Sequence, residues 1–132
     1  MSVSRSFQIG SSIPVIRMLN EKSTLSFYLD YLGYELDWEH RFHDTPDSCL
    51  YAQIRLGQSL IHLNGHANAD SPVCEVRIPI IELESYHQFL CSKETSFPKP
   101  ELVDPRYEGK KTDMNIFDPS GNLIVFWLRE NL

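Results

Sequence analysis

The sequence contains few cysteines, and their number and spacing argue against two common classes of small protein. Cys49, Cys74 and Cys91 are an odd number, and no C-x-x-C pair occurs. A disulfide framework normally needs an even number of cysteines, and a zinc knuckle needs closely paired ones. Neither is therefore indicated, and the expected compartment is the reducing cytoplasm.

Basic residues and long apolar runs are also scarce. Twelve Lys and Arg stand against eighteen Asp and Glu, which gives a net charge of -6. A nucleic-acid surface would need clustered cations, so nucleic acid is not an expected partner. No apolar run approaches the roughly 20 residues that span a bilayer, and residues 1–12 lack the apolar core of a signal peptide. A small molecule, which can be cationic because the chain is acidic, is the expected partner.

Known catalytic and nucleotide-binding motifs are likewise missing: the chain has no P-loop, no glycine-rich dinucleotide motif and no Ser-His-Asp constellation. The chain does contain one order of elements twice. The first half predicts a short strand, a helix that stops at Gly33, a strand and a hairpin about Gly57. Their bounds are Ile13 to Ile16, Glu21 to Leu32, Tyr34 to Phe42, Tyr51 to Leu56 and Ser59 to Leu63.

The second half repeats this order with little identity. It predicts a strand over Val73 to Ile81, a helix over Glu82 to Lys93, an irregular stretch over Phe97 to Lys111 and two final strands, Met114 to Phe117 and Leu123 to Leu128. Neither half could bury both faces of its sheet alone. The expected organisation is one domain over residues 1–132, built of two βαβββ modules at about 13–64 and 73–130.

Alternation along the strand Tyr34 to Phe42 predicts which side chains share a face. The two sides are expected to be Leu36, Trp38 and His40 against Glu35, Asp37 and Glu39. The acidic side is compatible with a cationic ligand, although a row of carboxylates is more often a solvated strand face.

Five elements occur in an order and at a spacing that resemble a known family. They are Thr24 to Tyr28, the Leu32-Gly33 stop, the string Asp37 to Phe42, the strand Ile61-His62-Leu63 and the turn Asp118-Pro119-Ser120-Gly121-Asn122. Together they resemble the glyoxalase / bleomycin resistance family of the vicinal oxygen chelate superfamily. The resemblance implies an α+β fold in which paired βαβββ modules curve mixed sheets around a central cleft.

Metal-dependent members of that superfamily hold a metal with four side chains that converge on the cleft. The resemblance places Ile13, His62, Glu75 and Val125 at these positions. A catalytic metal needs about three protein ligands and an open position, and only His62 and Glu75 could contribute. Arg77 lies on the same strand face as Glu75 and is expected to pair with it. No metal and no other cofactor is therefore predicted, with His62 and Glu75 as the candidates if one is bound.

The favoured interpretation is a metal-independent small-molecule binding protein of the bleomycin resistance type, acting as a homodimer. Trp127, in phase with Val125, is expected to supply a stacking surface. The alternatives are a glyoxalase-like lyase, isomerase or dioxygenase that uses His62 and Glu75, and a subunit whose fold serves only in assembly or regulation. The predicted ligand-binding residues are Arg17, Trp38, Tyr51, Gln53, His62, Asn64, Glu75, Arg77, Val125 and Trp127.

Overall fold

The computed structural model describes residues 6–43, 45 and 47–132, so residues 1–5 of the predicted domain lie outside the described part. The strands are β1 (Val15–Arg17), β2 (Glu35–Arg41), β3 (Leu50–Leu56), β4 (Ser59–Asn64), β5 (Glu75–Ile80), β6 (Glu101–Val103), β7 (Asp113–Phe117) and β8 (Leu123–Leu128). The helices are α1 (Glu21–Leu25), which continues as a π-helical segment (Ser26–Leu32), and α2 (Leu83–Cys91).

The strands form two four-stranded mixed sheets, in the orders β1-β4-β3-β2 and β5-β8-β7-β6. In each sheet the first and last strands of its half are parallel neighbours, and the other neighbours are antiparallel. The α+β fold of paired βαβββ units is therefore confirmed. Within the described residues, no helix is long and apolar enough to cross a membrane.

The first helix begins and ends where the sequence predicts. The side chain of Asn20 accepts a hydrogen bond from the backbone N–H of Ser23 at 2.8 Å, which caps the N-terminus. At the other end Gly33 adopts φ 96°, a left-handed conformation that glycine adopts without a steric penalty. The wider π-helical turns before Gly33 bury the aromatic residues Phe27, Tyr28 and Tyr31.

Both sheets contribute their helix-bearing faces to one hydrophobic core. The hydroxyl of Tyr86 on α2 donates to the carbonyl oxygen of Leu32 at 2.7 Å, so the two helices meet. Phe97 packs edge-on against Phe27 with ring centroids 5.3 Å apart. The remaining face of each sheet is turned away from this shared core and is called the open face below.

An irregularity in β2 changes which side chains reach the open face of the first sheet. The pairing with β3 shifts between Leu36 and Trp38, so Asp37 is an extra residue in a β-bulge. As a result the Asp37 carboxylate accepts from the side chain of Gln53, while Trp38 stacks on Tyr51, both on the open face. The strict alternation predicted from the sequence is therefore wrong here. Glu39 pairs with Ala52, whose side chain is buried, so Glu35, Asp37 and Glu39 do not form one acidic side.

The turn before β8 joins the two halves of the chain. The carboxylate of Asp118 is buried and accepts four hydrogen bonds: two from the backbone of Ser120 and Asn122, one from the Tyr28 hydroxyl at 2.7 Å and one from the Asn122 amide at 2.8 Å. The Asn122 amide also donates to the carbonyl oxygen of Arg17 on β1. Burial, together with the neighbouring Asp118 carboxylate, raises the pKa of Tyr28. This turn motif therefore has a structural role.

Candidate functional site

The open face of the first sheet carries a chain of hydrogen bonds centred on His62. The hydroxyl of Tyr51 lies 2.8 Å from Nδ1 of His62, and Nε2 of His62 lies 2.9 Å from Oε1 of Gln53. Gln53 donates through its Nε2 to Asp37 at 2.9 Å. Because Oε1 of Gln53 can only accept, Nε2 of His62 is assigned the hydrogen and Nδ1 accepts from Tyr51. Both nitrogens of His62 are thus occupied.

Trp38 presents a flat apolar surface beside this chain. Its ring is stacked on Tyr51, with centroids 6.2 Å apart and planes at 15°, and it meets His62 edge-on at 5.3 Å. The side chain is nevertheless 43% exposed. Hydrogen bonds from Gln53 and Arg55 lower the pKa of Asp37, which keeps this carboxylate ionised and engaged. The first open face therefore combines an accessible aromatic ring with polar groups that already have partners.

The open face of the second sheet is organised by Arg77. Its guanidinium donates to Oδ2 of Asp113 at 2.9 Å and to Oε2 of Glu75 at 3.4 Å. Hydrogen bonding to Asp113 is the main reason that the pKa of Arg77 is raised. The pair between Glu75 and Arg77 was predicted, but the shorter pair with Asp113 was not. The predicted strand began at Met114, one residue late, although Asp113 lies in register opposite Trp127.

Three other predicted ligand-binding residues are either hydrogen-bonded to the protein's own backbone or buried. Arg17 donates to the carbonyl oxygens of Ser120, Ala69 and Ser71, at 2.9, 3.0 and 2.9 Å, so its charge is held by backbone. The side chain of Asn64 accepts from the backbone N–H of His66. Val125 is buried, with 2% of its surface exposed.

The predicted site residues therefore fall into two groups on different sheets. The first contains Trp38, Tyr51, Gln53 and His62, and the second contains Glu75, Arg77, Val125 and Trp127. Within residues 6–43, 45 and 47–132, no hydrogen bond, ion pair or ring contact joins one group to the other. A single chain thus does not bring His62 and Glu75 together.

The residues at the family's metal positions do not fit a metal centre in this chain. Ile13 and Val125 have no donor atom, both nitrogens of His62 are hydrogen-bonded, and Glu75 pairs with Arg77. The described part of the chain contains no group of three His, Cys, Asp or Glu side chains placed to hold a metal ion.

The chain is similar to a known protein family and to several solved structures. A family model described as "Glyoxalase superfamily protein" matches residues 4–132. The bleomycin-binding protein of Streptomyces verticillus, solved with copper(II)-bleomycin, has a TM-score of 0.65 at 19% identity, covering 94% of this chain and 99% of that one. A bleomycin resistance determinant encoded on transposon Tn5 has a TM-score of 0.64 at 17% identity, covering 93% and 100%.

An antibiotic-binding protein from a Streptomyces species is also similar in fold. Its TM-score is 0.62 at 12% identity, covering 92% of this chain and 98% of that one. Identities this low establish the common fold and leave the ligand open. A comparison with curated protein sequences found no match.

Proposed function

Because this chain belongs to the glyoxalase superfamily, we propose that it is a binding protein that sequesters a small molecule without a metal and without altering it. The observation that carries this proposal is the pairing of the accessible Trp38 ring with a neighbouring His62 whose ring nitrogens are both engaged. A stacking surface flanked by fixed polar groups is typical of a small-molecule site. To act as a general base or a metal ligand, His62 would first have to exchange its hydrogen bond to Tyr51 or Gln53 for a bond to the substrate or the metal.

The proposal includes a homodimer. Val15, Trp38 and Phe117 are on the open faces and are 46%, 43% and 60% exposed. Large apolar side chains on the same kind of surface favour a protein partner, and closed two-fold pairs are the commonest oligomers. A second copy that placed its second sheet opposite the first sheet of its partner would unite the two groups of site residues. The ligand would then lie in a crevice between protomers.

An antibiotic of the bleomycin type is the first ligand to test. The support is the fold that this chain shares with proteins whose structures were solved with bleomycin or are named for antibiotic binding. Trp38 offers an accessible face to any ligand of this class that has a flat aromatic part. Such a compound should bind at micromolar concentration or tighter.

The test is a calorimetric titration of bleomycin-type compounds and small aromatic cations into the untagged protein. Loss of one stacking contact costs about 1–3 kcal/mol, so Trp38→Ala should weaken binding about tenfold to a hundredfold. Trp127→Ala should weaken binding of the bulky bleomycin-type compounds, which could reach both groups in the crevice, and should leave the small aromatic cations unchanged. Phe89→Ala is the matched control, because Phe89 is an exposed aromatic on α2, away from both open faces. If none of these compounds binds below millimolar concentration, sequestration of this ligand class is ruled out.

The dimer has its own test in light scattering at micromolar concentration. A mass near twice 15.3 kDa is expected for the pair. A mass near 15.3 kDa would remove the shared crevice, and the two groups would then have to act separately.

A further inference from the structure

A pocket of about 320 Å³ lies between the open face of the second sheet and the loop that joins β6 to β7. The sheet contributes Arg77, Asp113 and Trp127 to its wall, and the loop contributes Arg106 and Lys110. This volume is at the lower end of the range for small-molecule sites. It suits one ring with a small substituent and would hold only part of a larger ligand.

The loop is held in a defined shape. The carboxylate of Asp104 accepts from the backbone N–H groups of Glu108 at 3.0 Å and Gly109 at 2.7 Å. These hydrogen bonds lower the pKa of Asp104. Tyr107 adopts φ 56°, a left-handed conformation that is unfavourable for an aromatic residue. The loop therefore places Arg106 and Lys110 beside the pocket at the expense of local strain.

The charged groups around the pocket differ in whether they have partners. Asp113 is engaged by Arg77 and Thr112, and Asp104 is engaged by the backbone of its own loop. Within the described part of the chain, the side chains of Arg106 and Lys110 have no hydrogen-bond or ion-pair partner, and they outnumber the single unpaired carboxylate of the pocket wall, Glu108. Among the charged side chains of the described pocket wall, those without a partner are therefore mainly cationic hydrogen-bond donors.

Trp127 adds a second indication. The guanidinium of Arg129 lies 5.4 Å from the centroid of its ring, so one face of the indole already holds a cation. A second cation at this ring would be repelled by Arg129, whereas an anion beside it would be attracted. The aromatic surface of this pocket is thus set in a cationic environment, unlike that of Trp38.

We propose that this pocket binds the anionic end of a planar aromatic ligand, with the ring against Trp127 and a carboxylate or phosphate oxygen on Arg106 and Lys110. Arginine forms two parallel hydrogen bonds to either group, so the shared chemistry is an oxyanion on a flat ring. The inference rests on the proposed function, since it names the ligand chemistry of the second group. It differs from the cationic ligand that the acidic composition suggested.

The test follows the indole N–H resonances by NMR, because the chain has two tryptophans and Trp38→Phe identifies the signal of Trp127. Benzoate, phenyl phosphate, benzamide and benzylammonium share a single ring and carry, in turn, a carboxylate, a phosphate, a neutral amide and a cationic ammonium group. The shift of the Trp127 signal during titration gives the dissociation constant of each compound. We expect the dissociation constants of the two anions to be at least fivefold lower than that of the amide. Arg106→Gln and Lys110→Gln should each weaken the anions about threefold to fivefold, as expected for exposed charges.

Lys22→Gln is the matched control, since Lys22 is an exposed cation on α1. It should leave anion binding unchanged. Equal or tighter binding of the amide or the ammonium compound at Trp127 would overturn the anionic pocket while leaving a binding protein in place. Failure of all four compounds to move the Trp127 signal would also overturn it. The proposed function is judged separately, by the titration of bleomycin-type compounds.

Discussion

Replacing Asp118 tests the turn that links β8 to the first half of the chain. Its carboxylate is 5% exposed and accepts from Tyr28, Ser120 and Asn122. Asp118→Ala would leave four donors without this acceptor. A buried donor without a partner costs about 1–3 kcal/mol, and some would regain water, so we expect a loss of roughly 4 kcal/mol. That is a large fraction of the 5–15 kcal/mol typical of a folded domain.

Asp118→Asn keeps the size of the side chain but replaces one acceptor oxygen with a donor. Its remaining oxygen can still accept from the two backbone N–H groups, while its NH₂ opposes the amide of Asn122, so a loss of roughly 2 kcal/mol is expected. Urea unfolding followed by circular dichroism measures both variants. Asp47→Asn, at an exposed position, is the control and should change stability by about 0.5 kcal/mol or less. If Asp118→Asn matched that control, the carboxylate would not be what holds the turn.

Further predictions concern pH, the helix end and metal content. Burial raises the pKa of Tyr34 to about 12 from 10.0, so an unfolded chain loses this proton first. The contribution of Tyr34 to the free energy of unfolding is therefore retained below pH 10 and should fall by roughly 3 kcal/mol as the pH rises from 10 through about 12. Tyr34→Phe should reduce this dependence of the free energy of unfolding on pH, and Tyr107→Phe, at an exposed position, should not. Gly33→Ala should destabilise by about 1 kcal/mol because of its φ of 96°, unlike Gly10→Ala, which has open space and no positive φ. Elemental analysis of dialysed, untagged protein should show no stoichiometric transition metal; about one per chain would instead promote His62 and Glu75 to ligands.

Much of the fold could be predicted because its signals are local. The Leu32-Gly33 stop, the hairpin about Gly57 and the apolar periodicity of both helices each depend on residues within a few positions of one another. The short edge strand β6 was missed within a stretch predicted to be irregular. A three-residue strand has too few positions to show alternation, and β6 is identified by its pairing with β7.

The candidate site was predictable only in part. His62, Tyr51 and Gln53 could be placed on one face by alternation, but the hydrogen bonds that occupy both nitrogens of His62 could not. The bulge at Asp37 had no sequence signal, because it is defined by the register of β2 against β3. The role of Asp113 as the nearer partner of Arg77 depends on two strands 36 residues apart in sequence.

The sequence by itself determined the order of strands and helices, the family resemblance and the face on which most strand side chains lie, since these follow from short-range sterics and from side-chain periods of 2 and 3.6 residues. The tertiary structure alone decided how the two open faces are separated. Both helix-bearing faces bury their apolar surface in one core, and this turns the group around His62 and the group around Glu75 away from that core. The two modules meet through the surfaces whose packing removes the most apolar area from water. This area depends on residues from both halves of the folded chain, so local sequence patterns do not reveal it.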